Sequence, residues 1–182
     1  MEHPEFALRA FSEAEQFFAQ GDYTGAISRM EQSLNEFKGD VLEADALNNL
    51  GYYHLHLANW DKAIKYFEKA FLIDPTFQVI LCHLAWAALM IQNIEGALAL
   101  MELFEKSDTE YRAMHNRNKA FYYTLAKAQK EALKYLGMAE EEDPYLEYLD
   151  ILFQANGQET ESRIYPETDK QLIYLATLLE NN

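Results

Sequence analysis

Residues 47–75 read LNNLGYYHLHLANWDKAIKYFEKAFLIDP. Leu50 and Gly51 sit in a first helical stretch, a break falls near Asn59, and Ala63, Phe67 and Ala70 then recur at the spacing of one helix face. Asp74-Pro75 closes the second stretch, because proline cannot continue a helix. The segment is therefore predicted to be a helix–turn–helix unit.

The same frame recurs on both sides of it. It appears as AEQFFAQGDYTGAISRMEQSL around Ala26, as LAWAALMIQNIEGALALMELF around Ala97, and as AFYYTLAKAQKEALKYLGMAEEEDP around Ala132. The equivalent alanines are spaced by 37, 34 and 35 residues. Ala14, Gly51, Ala85 and Ala120 occupy one matching site in the first helices, and small residues there let two helices approach closely. This pattern resembles the tetratricopeptide repeat family, whose unit is a helix–turn–helix of about 34 residues.

The resemblance implies an all-α solenoid, a right-handed superhelix of about four units over 7–40, 44–77, 78–111 and 113–146, in one domain spanning 1–182. The second unit matches almost every signature position, departing at Leu47 and His54. The first and fourth carry Glu13 and Lys119 where leucine is usual, and the third ends without proline. Residues 147–182 are expected to cap the array. There Pro166 opens an amphipathic helix whose Leu172, Ile173, Leu175, Ala176 and Leu179 share one face. That helix either covers the end of the solenoid, which terminal repeats need, or lies in its own groove.

Composition narrows the function. The 182 residues carry 15 Lys and Arg against 30 Asp and Glu, a net charge of −15, so phosphate-dominated binding of nucleic acid is not expected. With 49% apolar and 14% aromatic residues the chain has a core and is no acidic disordered tail. The one cysteine, Cys82, excludes an internal disulfide and fits a reducing compartment. The longest apolar run, Val79 to Ile91, is too short to span a bilayer, and the first residues lack a basic region followed by an apolar one. A soluble cytoplasmic protein is expected.

No catalytic, cofactor or metal signature emerges. Gly21 and Gly25 form no phosphate loop, and His54 and His56, two apart on a helix, point away from each other. His83 lies among apolar residues, and Cys82 has no cationic run beside it to lower its pKa. The chain is accordingly expected not to be an enzyme.

In the resembled family the first helix of each unit lines a concave face. Helical periodicity then places Phe11, Phe18, Asn48, Asn49, Tyr52, Leu55, His83, Trp86, Leu89, Arg117, Asn118 and Phe121 on it. The lysine, asparagine and arginine clamp by which some members hold acidic C-termini is missing: of its positions only Asn49 is filled. Aromatics and aliphatics in an acidic molecule suit an apolar segment flanked by basic residues, with Tyr52 and Trp86 as anchors. The alternative is a self-associating structural protein, a homodimer built through the C-terminal helix or through the third unit, whose VILCHLAWAALMI is apolar on almost every side and must be covered.

Overall fold

The computed structural model describes residues 5–40, 42–105 and 111–142, and these form eight helices and no strand. They are α1 (Glu5–Ala19), α2 (Tyr23–Leu34), α3 (Glu43–His56), α4 (Trp60–Ile73), α5 (Val79–Met90), α6 (Ile94–Glu105), α7 (Arg112–Leu125) and α8 (Gln129–Glu142). Each predicted unit contains one consecutive pair, so the fold is an all-α array of helix–turn–helix repeats of the solenoid class. The expected cap, 147–182, lies outside the described residues. Internal packing divides the chain into two units, Met1–His83 and Leu84–Asn182.

Four turns share one backbone solution. Gly21, Ala58, Gln92 and Lys127, at matching positions, all take positive φ, at 76°, 54°, 59° and 57°. Each lies just beyond the first helix of its repeat. The next amide reaches back to the carbonyl five residues earlier, as from Asp22 to Phe17, Asn59 to His54, Asn93 to Ala88 and Ala128 to Tyr123. This is the left-handed helix ending that satisfies the last orphan carbonyls. Only the first turn uses glycine, the residue best suited to it. Two of the following helices are capped by side chains: Asp22 Oδ1 accepts from Gly25 N at 2.8 Å and Asn93 Oδ1 from Gly96 N at 3.0 Å.

Small residues set the distance between paired helices. Ala14, Ala85 and Ala120 are at most 1% exposed, and a Cβ on Gly51 would lie 2.5 Å from the Phe67 ring. In the first unit Ala7, Ala10, Ala14, Ala26, Met30, Ala46 and Leu50 form a core into which Phe37 also folds. Phe37 belongs to the connection between α2 and α3, which takes up the three extra residues of the 37-residue period. Beyond it Gly39 turns out into open space at φ +78°.

The two charged departures from leucine are both satisfied. Glu13 lies 2.9 Å from Arg9 Nε and 2.5 Å from Arg29 Nε, and these hydrogen bonds hold its carboxyl below the usual range. Lys119, in the second unit, pairs with Glu105 of α6 and lies over the Tyr135 ring at 4.8 Å. All twelve residues of α5 are buried. The cover demanded by its apolar sequence is thus supplied by the chain itself.

Candidate functional site

The first unit brings together most of the rings expected on the first-helix face. Phe18, at the end of α1, lies 5.4 Å from Tyr52 of α3, ring centre to ring centre. Two residues outside the predicted set complete the group. His56 stands edge-on to Phe18 at 4.9 Å and to Tyr52 at 4.7 Å, and Tyr23 lies 5.3 Å from Phe18 and 5.0 Å from His56. Such tilted and edge-on arrangements are the favoured ones for aromatic pairs. Phe11 packs 5.3 Å from Phe37. Phe11, Phe18, Tyr23, Asn49, Tyr52 and His56 are all half-buried, so each keeps part of its surface toward solvent.

Carboxylates lie on the same helices, α1 and α3, as these rings. Glu15, exposed, stands one helical turn before Phe18. Its charge reaches the neighbouring Tyr53, whose hydroxyl is pushed up to about 12 by burial first and then by Glu15. Asp45 is half-buried, and burial together with the charge of Asp74 raises its carboxyl above the usual range.

Deeper in the same unit Asn48 and His83 meet: Nδ1 of His83 lies 3.1 Å from Asn48 Oδ1. The His83 ring also packs at 5.3 Å from Tyr52 and 5.0 Å from Phe67. Asn48, Leu55 and His83 are buried.

The second unit treats its predicted residues differently. Trp86, expected as an anchor, is 2% exposed, and Phe121 is fully buried with its ring 5.1 Å away. Arg117 Cζ sits 4.5 Å from the centre of the Trp86 ring, a cation–π contact. Its Nε and Nη2 donate to Asn118 Oδ1 at 3.2 and 2.9 Å. Arg117, Asn118 and Leu89 are buried as well. Periodicity placed these residues on the first-helix face, and the aromatic among them that faces its own chain's arginine is internal. Tyr23 and His56 escaped the prediction because one opens a second helix and the other was weighed only as a metal ligand. Their signal was the ring-rich sequence on either side of the two turns.

Among the described residues no group of three or more His, Cys, Asp or Glu is placed to hold a metal ion. No helix among them is long and apolar enough to cross a membrane.

A protein built of paired helices joined by matching left-handed turns, with rings on its first helices, belongs to the helical-repeat class. Residues 44–77 match the model of the tetratricopeptide repeat. Repeats of this family suggest a protein–protein interaction scaffold. No curated protein sequence matches the chain significantly. Among solved structures it is similar to MamA, with 17% identity and a TM-score of 0.57 over 92% of this chain and 95% of that one. PilF of Pseudomonas aeruginosa is similar at 18% identity and a TM-score of 0.57, over 81% and 65%. A tetratricopeptide repeat protein from Parabacteroides merdae gives 15% and 0.60, over 96% and 67%. At these identities the likeness concerns the fold.

Proposed function

We propose that this chain is a non-enzymatic scaffold that holds an apolar segment of a partner protein, flanked by basic residues, against the first helices of its repeats. In the first unit the segment rests on Phe11, Phe18 and Tyr52, and the Asn49 side chain bonds its backbone. The observation that carries this reading is the shelf of half-buried rings from three helices in a chain of net charge −15. Rings of this kind supply large contact area at small entropic cost, and the surrounding charge attracts basic flanks over a Debye length of about 8–10 Å. The burial of every α5 residue favours this reading over self-association through that helix.

A displayed peptide library panned on the wild-type chain and on a Phe18→Ala/Tyr52→Ala variant tests it. Enriched peptides are expected to combine apolar residues with Lys or Arg, and to bind the folded variant at least about tenfold more weakly, the scale of a lost aromatic hot spot. Enrichment that ignores the two substitutions rules this seat out. Light scattering across a range of concentrations checks the self-associating alternative, which predicts a mass that grows with concentration.

A further inference from the structure

The net charge of −15 is unevenly laid along the chain. Residues 112–134, which hold α7, the turn after it and the start of α8, carry six Lys and Arg against the single acid Glu131, a net +5. The other 159 residues carry nine against 29, a net −20. The sign of the charge thus reverses over one helix pair of the second unit. Of the six cations Arg117 is buried on Trp86, whereas Arg112, Lys127, Lys130 and Lys134 are exposed.

The same pair gathers cations around tyrosine rings. Lys119 of α7 and Lys134 of α8 converge on the ring of Tyr135, at 4.8 and 5.3 Å from its centre. Burial first, and the charge of Lys134 second, hold Lys119 below the usual lysine range. Tyr135 stacks on Tyr123 at 5.4 Å, and Tyr122 stands edge-on to Tyr123 at 5.0 Å. All three rings are half-buried, and a phenol hydroxyl can donate to a carboxylate as an ammonium does. Lys119 already holds a carboxylate, that of Glu105. Lys130 and Lys134, four apart on one side of α8, are exposed and have no carboxylate partner among the described residues.

The size of the patch selects among anionic partners. The 14 residues of α8 span about 21 Å, and its last turn is acidic, with Glu140, Glu141 and Glu142. A long polyanion such as a nucleic acid meets these carboxylates, whereas an acidic segment of a few residues fits within the cationic stretch. We propose that the α7–α8 pair around Tyr135 docks a short acidic segment of a partner protein, whose carboxylates rest on Lys130 and Lys134. This surface is separate from the ring shelf of the first unit and opposite to it in the charge it selects.

The test titrates the full chain with Ac-Gly-Glu-Glu-Glu-Glu-Gly-NH2 and with the same peptide carrying glutamine for glutamate, followed by NMR at the Tyr123 and Tyr135 ring protons. Only the glutamate peptide is expected to bind, and raising the salt from about 20 to about 200 mM, which shortens the Debye length roughly threefold, should weaken it about three- to tenfold. Lys130→Gln/Lys134→Gln, two exposed positions, should weaken it by about the same factor. Phe18→Ala/Tyr52→Ala should leave it unchanged, so that failure here and failure of the proposed function are told apart. Absence of binding at the lower salt, or binding that the lysine substitutions do not alter, overturns the acidic seat. Tighter binding of a hexathymidine strand through the same lysines gives the patch to nucleic acid and overturns it as well. Tyr135 shifts that move with protein concentration before any peptide is added give it to a second copy of the chain, with the same consequence.

Discussion

His83 Nδ1 and Asn48 Oδ1 lie 3.1 Å apart, joining the first turn of α5 to the middle of α3 through a buried polar contact. The Asn48 oxygen can only accept, so His83 Nδ1–H is the donor of this hydrogen bond. Replacing Asn48 with Leu takes the acceptor from a buried N–H, and a loss of about 1–3 kcal/mol is expected in denaturant unfolding. An unchanged midpoint and slope would remove this contact from the account of stability.

Gly51→Ala should destabilise by about 1–3 kcal/mol, because the added Cβ meets the Phe67 ring at 2.5 Å. The ring is fully buried and cannot swing into solvent. Thermal unfolding of Gly51→Ala, alone and with Phe67→Leu, checks the cause: the smaller side chain should restore part of the lost Tm if crowding is responsible.

The turns offer the opposite sign. Ala58, Gln92 and Lys127 hold left-handed φ values of 54°, 59° and 57°. A residue with a Cβ pays roughly 1–2 kcal/mol there, and glycine recovers most of it less its own larger entropy loss. Each single change to glycine is expected to stabilise by about 0.5–1 kcal/mol. Measured destabilisation at any of the three would mean that the native side chain makes contacts worth more than the strain.

Acid should loosen the second unit through His115. This residue of α7 stacks on Phe104 of α6 at 4.6 Å and lies 3.7 Å from Glu105. Burial first, and the charge of Arg112 second, bring its pKa down to about 4. The unfolded chain takes up the proton near pH 6.5, whereas the folded one resists until about 4, so stability is complete above about 6.5 and falls as the pH drops through that window. In His115→Phe the decline of unfolding free energy between about pH 6.5 and 5 should be shallower. An identical slope would exonerate His115.

The repeat frame was legible because the apolar pattern and the small residues repeat with it: Ala26, Ala63, Ala97 and Ala132 are all at most 1% exposed. The turns were only half legible. Gly21 advertises its backbone, but Ala58, Gln92 and Lys127 adopt the same conformation under hydrogen-bond constraint, which residue identity does not reveal. Glu13 and Lys119 looked like flaws in the pattern because their partners, Arg29 and Glu105, lie 16 and 14 residues away and no local period links them. The candidate site divided along a similar line. Tyr52 and Trp86 hold the same place in their repeats, yet one is half-buried and the other 2% exposed with Arg117, a repeat further along the chain, on its ring, a difference the helical period does not carry.

The array also contains one period longer than the rest. Between Ala26 and Ala63 the chain spends 37 residues where later repeats spend 34 or 35, and Phe37, 2% exposed, anchors the surplus to the core. Exposed Lys38 and Gly39 follow the anchor, and nothing lies within 4 Å of the position a side chain on Gly39 would take. A fluorophore or affinity handle inserted beside Gly39 therefore enters a connection that already carries surplus chain, and becomes an attachment port that leaves the register of every helix pair as it was.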